Sequence, residues 1–262
     1  MAELDYKSEQ PLILALDTSS KLTGLALSRG LEIHDSATIS SDERRSEKLW
    51  LDIESLLARS ALTINDIGLF GVCVGPGSFT GLRVGMAAMK GLAAATGKRL
   101  AGVTSLEAAA SQAKPNDVVC ALVNSYKGEV YSQLFSIDGE GVPVALAAPL
   151  VSTLDDALKR AESYPEIVFT GNAAIDNAER IEATCGRNNA LSRNLAEGCR
   201  VIKCESQPLA VDIARLSYLK LIRGESETAE SLRACYVRPA EAEVKLSLGL
   251  LGSKIKRSLK FG

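Results

Sequence analysis

Two successive halves of the chain show the same order of predicted elements, βββαβαβα, and this order predicts an α/β protein. Each half opens with short apolar runs that end at turn residues, which is typical of strands. Each half then changes to apolar residues three and four positions apart, which is typical of helices that cover a sheet. The duplication predicts two ribonuclease H-like lobes, the architecture of the actin and Hsp70-like ATPase superfamily. That superfamily holds a nucleotide between its lobes, so an ATPase hypothesis follows, by analogy alone.

The first half provides the first set of predicted elements. Leu12–Leu16 is an apolar run that ends at Asp17, which predicts a strand followed by a turn. Leu49, Ile53 and Leu56 have helical spacing and share one face. The predicted order is a strand at 12–16, a strand at 22–28, a strand at 31–39, a helix at 43–58, a strand at 67–74, a helix at 78–96, a strand at 99–103 and a helix at 104–113.

The second half repeats this order. Its predicted elements are strands at 118–123, 129–137 and 143–150, a helix at 154–162, a strand at 167–170, a helix at 173–184, a strand at 200–203 and a helix at 210–223. We therefore divide the chain into a first lobe at 1–113, a second lobe at 114–243 and a basic tail at 244–262. The last helix, at about 208–223, is a candidate to pack back on the first lobe.

The composition restricts the class of protein. The chain has 262 residues, 46% of them hydrophobic, and a formal net charge of −2, so strong electrostatic capture of nucleic acid is not expected. None of the six cysteines forms a C-x-x-C pair, which favours buried reduced thiols. The N-terminus has no signal-peptide pattern, and no apolar stretch approaches the roughly 20 residues of a membrane span. These features predict a cytoplasmic protein without a membrane segment.

Residues 71–85, GVCVGPGSFTGLRVG, place a glycine-rich turn between a predicted strand and a predicted helix, where phosphate is often bound. The glycines fit neither the Walker A pattern nor G-x-G-x-x-G, because Thr80 occupies the position of the last glycine. Ser78 lacks the G-x-S-x-G context of a hydrolase nucleophile. His34 is the only histidine, so a histidine-pair metal site is excluded. We predict no catalytic residue and no metal ligand.

The turn formed by Asp17, Thr18, Ser19 and Ser20 is the candidate nucleotide loop of an actin-like fold, with Asp17 able to hold Mg²⁺ through water. Such a loop usually has a glycine soon after the aspartate, so that backbone amides can approach the phosphates. Ser19 and Ser20 take that place here, and we interpret the turn as a degenerate nucleotide loop. The alternative function that stays open is an autonomous ATP-binding enzyme.

The helix after the glycine-rich turn is apolar almost all round. Gly77, Gly81 and Gly85 share one face, and each glycine inside a helix costs about 0.5–1 kcal/mol relative to alanine. Close approach of another backbone would offset this cost. A helix with two apolar faces packs its second face either on the other lobe or on a partner protein. Trp50, the only tryptophan, lies partly outside the core face of the preceding helix, and it belongs either to an interface or to the edge of the lobe core.

Six motifs occur in order between residues 13 and 243: ILALDTSS, GPGSFTGLRVGMAAMKGLA, GVTSLEAAA, KGEVY, FTGNAA and YVRPAEAE. Together they resemble the TsaB (YeaZ) family, subunits of the bacterial machinery that makes threonylcarbamoyladenosine (t6A) in tRNA. The resemblance implies a duplicated actin-like (ASKHA) fold. It implies a non-catalytic relative of the TsaD threonylcarbamoyltransferase, a scaffold that binds and activates TsaD for modification of the adenosine 3′ to the anticodon.

The same resemblance implies partners. It predicts a heterodimer with TsaD, a homodimer through the same helices, and association with the ATPase TsaE. ATP and metal are expected on these partner subunits and not on this chain, and tRNA is contacted only indirectly through the complex. The residues expected at the partner interface are Trp50, Leu51, Glu54, Gly77, Phe79, Gly81, Leu82, Arg83, Gly85, Met86, Met89 and Lys90.

The chain departs from the family pattern in two stretches. Family members usually have Asp-Ala-Arg-Arg where this chain has Asn124-Ser125-Tyr126-Lys127, so a carboxylate and a guanidinium are lost, and lysine cannot replace the bidentate arginine fork. Arg45 stands where a histidine is common. Beyond the last motif, Lys245–Gly262 carries five basic residues and no acidic one, which is typical of a solvated tail, the sharper alternative being a weak tRNA contact.

Overall fold

The computed structural model describes residues 10–40, 45–187, 199–202 and 209–237, whose strands form two sheets. The first eight elements are β1 (Leu12–Asp17), β2 (Leu22–Arg29), β3 (Glu32–Ser40), α1 (Arg45–Arg59), β4 (Leu69–Gly75), α2 (Phe79–Thr96), β5 (Arg99–Thr104) and α3 (Ser105–Ala110). Their strands form a five-stranded sheet in the order β3-β2-β1-β4-β5. The β1–β2 and β2–β3 pairs are antiparallel, whereas β4 pairs in parallel with β1 and β5.

The second set of elements builds a six-stranded sheet. They are β6 (Val118–Asn124), β7 (Val130–Ile137), β8 (Pro143–Ala145), β9 (Leu150–Ser152), α4 (Leu154–Ala161), β10 (Ile167–Thr170), α5 (Asn172–Asp176), α6 (Ala178–Arg187), β11 (Cys199–Val201) and α7 (Ala210–Ile222). The strand order is β11-β10-β6-β7-β8, and β9 also pairs with β7. The two sheets and their helices confirm the predicted fold class, including the βββαβαβα order of the first half.

Two elements of the second half differ from their predictions. The strand predicted at 143–150 is divided into β8 and β9, both paired with β7, because Pro149 lacks the backbone N–H that a continuous ladder needs. The helix predicted at 173–184 is divided into α5 and α6 at Asn177. The Asn177 side-chain amide donates to the Ala173 carbonyl at 2.8 Å, in competition with the backbone hydrogen bond of a continuous helix.

Helices cover both faces of the first sheet, because its central strand β1 has apolar side chains on both sides. Leu12, Leu14 and Leu16 of β1 belong to a core cluster with the apolar faces of α1 and α2. Ala15, on the opposite face of β1, belongs to a cluster with Ala210 and Ile213 of α7. Successive side chains of a strand point to opposite faces, so a strand buried on both sides is apolar throughout. Helices α1 and α2 therefore form the outer layer of this lobe.

Each lobe also receives a helix from the other half of the chain. Helix α3 directly follows β5, yet Leu106, Ala109 and Ala110 pack against alternate residues of β6 in the second sheet. Helix α7 follows the second sheet and packs on the first. The expected boundary at residue 113 placed α3 in the first lobe, whereas its apolar side chains contribute to the second core. Helices α3 and α7 lie in contact between the two sheets.

Polar contacts join these two inner helices near both ends. The Lys220 ammonium on α7 is 3.0 Å from Glu107 of α3 and donates to the Gly102 carbonyl at 2.8 Å. The Gln112 amide, just after α3, donates to Asp212 of α7 at 2.9 Å. The Gln112 Oε1 atom is buried and has no hydrogen-bond partner among the described residues. The contact between the lobes therefore includes the buried Asp212 carboxylate beside an amide oxygen that has no hydrogen-bond partner among the described residues.

The segment 225–237 returns from α7 to the first lobe. Leu100 of β5 and Glu227 exchange two backbone hydrogen bonds of 2.9 and 2.7 Å, and the Cys235 amide donates to the Val74 carbonyl at 2.8 Å. The approach requires glycine at position 75, where φ is +105° and a Cβ atom would lie 2.8 Å from the Cys235 carbonyl oxygen. This C-terminal segment covers the β5 edge of the first sheet and ends beside α2.

None of the helices in the described part of the chain combines the length and apolar character that a bilayer span needs. The basic tail at 244–262, the sharper hypothesis of a tRNA contact by it, and the side chains of Arg45 and Lys127 lie outside the described residues.

The buried carboxylate generates a pH-dependent prediction. Burial raises the pKa of Asp212 to about 6, so the folded state holds a proton that the unfolded chain releases near pH 4. The contribution of this group to the free energy of unfolding should fall by about 3 kcal/mol as pH rises from about 4 to 6, and then level off. Asp212→Asn should abolish this dependence and be more stable than wild type at pH 8, with equal stability at pH 4. Urea denaturation at the two pH values measures this, and a variant that is less stable at pH 8 would contradict it.

Candidate functional site

Gly81 and Gly85 of α2, and Gly77 just before this helix, face the turn between β1 and β2 in the same lobe. A Cβ atom at position 85 would lie 2.2 Å from Thr18 Oγ1, and one at position 77 would lie 2.4 Å from the Ser19 carbonyl oxygen. The Thr18 hydroxyl donates to the Gly81 carbonyl at 2.8 Å. The predicted close approach of a backbone is therefore present, but the approaching segment is the chain's own candidate nucleotide loop.

Three backbone amides at the start of α2 have partners within the first lobe. The Ser78 amide donates to the Ser19 carbonyl at 2.7 Å, and the Ser78 hydroxyl caps the helix by accepting from the Gly81 amide at 3.3 Å. The Leu82 amide donates to the Ser78 carbonyl at 2.8 Å. A phosphate site at a helix N-terminus needs such amides pointing at the ligand. In this chain the Ser78 and Gly81 amides have partners within the lobe, and the glycine-rich turn packs on the neighbouring loop.

Asp17 is the charged residue of the candidate nucleotide loop, and it is only 1% exposed. One carboxylate oxygen accepts from the Ser19 amide at 2.8 Å, and the other accepts from the Leu209 amide at 3.0 Å. The carboxylate thus fastens the start of α7 to the end of β1. Burial, followed by the charge of Asp17, raises the pKa of the neighbouring Cys73 thiol well above its ordinary value. No group of three or more histidine, cysteine or acidic side chains suited to a metal ion occurs within the described ranges.

The outer face of α1 and α2 exposes large apolar side chains. Trp50 is 45% exposed, Leu51 64% and Phe79 42%, and Glu54 and Arg83 are also exposed. We name this set, Trp50, Leu51, Glu54, Phe79 and Arg83, the docking face. Exposed large apolar residues on the outer layer of a lobe are typical of protein interaction sites.

Other members of the expected interface belong to the interior. Gly81, Leu82, Gly85, Met86 and Met89 are buried within the chain. The structure corrects the prediction that these five residues lie at a partner surface. The glycine face contacts the β1–β2 turn, and the two methionines pack in the first core. Gly77 is half-buried against Ser19. Lys90 is half-buried as well, and its ammonium donates to the Leu232 carbonyl at 3.1 Å.

An aromatic and cationic cluster at the start of α2 includes a residue that sequence reasoning missed. The Arg83 guanidinium lies 3.7 Å from the centroid of the Phe79 ring, and the Phe79 and Tyr236 ring centroids are 5.6 Å apart. Tyr236 reaches this position because the C-terminal segment returns along β5. The motif YVRPAEAE was a signal of family membership, but nothing in its local pattern placed it beside α2. The cluster holds the Phe79 ring between two neighbours.

A cleft of about 850 Å³ opens between the lobes. The β1–β2 turn and the start of α2 form one wall, and the end of β6, the loop after it and the start of α5 form the other. On the second wall, the Asn124 amide nitrogen of the backbone donates to Asn172 Oδ1 at 2.9 Å, and its side chain donates to Asp176 at 2.7 Å. An aspartate at position 124 could not donate to Asp176, so this departure from the family pattern has a local partner.

Two glycines of α2 test the packing of the loop. Gly85→Ala should lower the free energy of unfolding by about 1–3 kcal/mol, because its Cβ atom would collide with Thr18. Gly91→Ala is the matched control, since no atom lies within 4 Å of its Cβ position, and it should raise stability by about 0.5–1 kcal/mol. Urea denaturation monitored by circular dichroism measures both. Equal stabilisation by the two alanines would contradict the packing described here.

Comparisons with known proteins identify the family of the chain. The family model of TsaD, tRNA N6-adenosine threonylcarbamoyltransferase, matches residues 40–184, just over half of the chain. The chain is 25% identical over 234 residues to the tRNA threonylcarbamoyladenosine biosynthesis protein TsaB of Bacillus subtilis, which covers 89% of this chain and 96% of that protein. It is 29% identical over 133 residues to TsaB of Escherichia coli, which covers 50% of this chain and 57% of that protein.

Solved structures share the fold. YeaZ from Pseudomonas aeruginosa aligns with a TM-score of 0.66 at 21% identity, over 86% of this chain and 99% of that one. ROK hexokinase from Thermus thermophilus aligns with a TM-score of 0.51 at 14% identity, over 80% of this chain and 99% of that one. These likenesses support the two-lobed actin-like architecture. By the match to its family model, the chain belongs to the TsaD family, and within it to the TsaB (YeaZ) proteins, with a role in tRNA threonylcarbamoyladenosine biosynthesis.

Proposed function

We propose that this chain is a non-catalytic scaffold subunit that binds and activates a TsaD threonylcarbamoyltransferase through the docking face. The observation that carries the proposal is the group of exposed apolar side chains on α1 and α2, led by Trp50, Leu51 and Phe79. These helices form the outer layer of the first lobe, so a partner can reach them without any movement of the core. A partner of the same fold would present equivalent helices.

The docking face has the composition of an interface. Tryptophan and arginine are enriched among the residues that dominate binding energy, and Trp50 and Arg83 are both exposed here. Arg83 is stacked on Phe79, and it has no hydrogen-bond or ion-pair partner among the described residues, so its donors face outward for a carboxylate. Glu54 supplies an opposite charge on the same face. A surface with both signs also suits a homodimer through the same helices.

The hydrogen bonds of the candidate nucleotide loop support a non-catalytic role for this chain. Both oxygens of the Asp17 carboxylate accept backbone amides, and the amide of Ser78 is bound to the loop itself. A phosphate or a hydrated cation would have to displace these contacts. We therefore place ATP and metal on the partner subunits and propose that this chain holds neither.

The wider assembly follows from the same proposal. TsaD transfers threonylcarbamoyl to the adenosine 3′ to the anticodon, the ATPase TsaE joins the pair, and this chain contacts tRNA only through the complex. The setting proposed for this assembly is the cytoplasm.

Substitutions on the docking face test the scaffold function. Leu51→Asp and Trp50→Ala should each weaken association with TsaD of the same organism by at least about 30-fold, because each removes an exposed apolar anchor. Leu150→Asp is the matched control, since Leu150 is 45% exposed on β9 of the other lobe. Calorimetric titration measures the affinities, and circular dichroism checks that each variant is folded.

The outcomes of these titrations distinguish the scaffold function from the alternative function as an enzyme. Loss of binding by the α1 variants together with full binding by Leu150→Asp would support the docking face. Unchanged binding by Leu51→Asp would contradict it. Hydrolysis of Mg·ATP by the isolated chain would favour an autonomous ATP-binding enzyme instead.

A further inference from the structure

Three charged side chains join the two lobes at the C-terminal end of α7. The Arg223 guanidinium, directly after this helix, donates through Nη2 to Asp138 Oδ2 at 2.9 Å and also to a carboxylate oxygen of Glu140. Helix α7 packs on the first sheet, whereas Asp138 and Glu140 lie in the turn between β7 and β8 of the second sheet. We name this set, Asp138, Glu140 and Arg223, the latch. The scaffold function proposed above does not involve it.

The turn between β7 and β8 holds Asp138 in place as an acceptor. Asp138 Oδ1 accepts from the Glu140 amide at 3.0 Å and from the Val142 amide at 2.8 Å, which leaves Oδ2 for Arg223. Burial raises the pKa of Asp138, but the hydrogen bonds from Val142 and Arg223 outweigh this effect and hold the pKa below its ordinary value. The carboxylate is therefore ionised, and its own turn orients it.

The end of α7 holds Arg223 in place as the donor. The Arg223 amide donates to the Leu219 carbonyl at 3.2 Å, and Gly224, with φ at +75°, ends the helix. A cation at the C-terminal end of a helix is also favoured by the helix dipole. The Arg223 and Asp138 side chains are each only 29% exposed. Because solvent and salt screen ion pairs on an open surface, this partial burial makes the latch a stronger restraint than an exposed pair.

The latch lies far from the cleft between the lobes. Tyr131 of β7 lines the cleft, and Asp138 follows roughly 24 Å further along the direction of the strand. Leu209, just before α7, also lines the cleft, and Arg223 follows roughly 21 Å further along the helix. The two walls of the cleft belong to different lobes, so its width depends on the angle between the lobes. A restraint at this distance from the cleft limits that angle with a long lever arm.

The packing between the two inner helices restrains the angle only weakly. Ala108 of α3 belongs to the same apolar cluster as Ala210 and Ala214 of α7. Single methyl groups interdigitate little, and packed helices can slide past one another. The ion pair of Lys220 with Glu107 joins the same two helices through a long, flexible side chain. The latch lies outside this helix pair, where it resists rotation of one lobe against the other.

We propose that the latch fixes the angle between the two lobes and thereby sets the width of the cleft. With the latch closed, α7 is held to the first lobe at its start, where Asp17 accepts from the Leu209 amide, and to the second lobe at its end, where Arg223 binds Asp138. With the latch open, the contact between α3 and α7 restrains the lobes, which then adopt a wider range of angles. The latch is a conformational device that responds to ionic strength.

Distance measurements by electron paramagnetic resonance on the full-length chain test the proposal without any partner. Spin labels at Leu31→Cys and Val144→Cys report on the angle, because these residues are 48% and 47% exposed and lie on different lobes; the other accessible cysteines are replaced by serine. Arg223→Ala should broaden the distribution of label distances about twofold. Arg180→Ala is the matched control, since it removes an ion pair of 2.6 Å with Asp155 inside the second lobe, and it should leave the distribution unchanged.

A second variant and a change of salt make the test independent of one substitution. Glu140→Ala, which alters the latch from the other lobe at a side chain that is 66% exposed, should broaden the distribution in the same direction. NaCl at about 1 M should broaden the wild-type distribution and leave that of Arg223→Ala unchanged, since screening acts only on an intact latch. Circular dichroism checks that each variant is folded. An unchanged distribution in both Arg223→Ala and Glu140→Ala, or equal broadening by Arg180→Ala, would overturn the proposal.

Discussion

The contact between helix α2 and the β1–β2 turn determines the arrangement of the first lobe. Glycines at 77 and 85 leave no Cβ atom in the way, and the Thr18 hydroxyl and Ser78 amide then complete hydrogen bonds across the contact. The cost of interior glycine in a helix is offset by this buried packing. With its inner face fixed in this way, α2 has only one orientation, which turns Phe79 and Arg83 to the surface.

The candidate nucleotide loop has a structural role in the same contact. The Ser19 carbonyl accepts the Ser78 amide, and the Thr18 hydroxyl donates to the Gly81 carbonyl. The Asp17 carboxylate joins the end of β1 to the start of α7. These contacts fix the inner side of the first lobe, while Trp50, Leu51 and Phe79 stay exposed on its outer layer.

Sequence reasoning predicted the fold better than it predicted the site. Periodicity found both sheets and the order of the first half, because β1 and β4 are buried on both faces and their apolar runs are unambiguous. It also predicted that another backbone segment approaches the glycine face of α2 closely, but the sequence does not say which segment this is. The predicted partner interface therefore included Gly81, Gly85 and Met89, which are buried. Tyr236 was missed because its contact with Phe79 spans the whole fold.

Helix α2 packs its glycine face on its own lobe, and we propose that its outer face, together with α1, binds a TsaD partner. Hydrogen–deuterium exchange of the chain alone and in the complex distinguishes these two faces. We expect new protection on binding at Arg45–Arg59 and in the first half of α2, with the β1–β2 turn already protected in the free chain. Fast exchange of that turn in the free chain, or new protection confined to β8 and β9 of the second lobe, would contradict it.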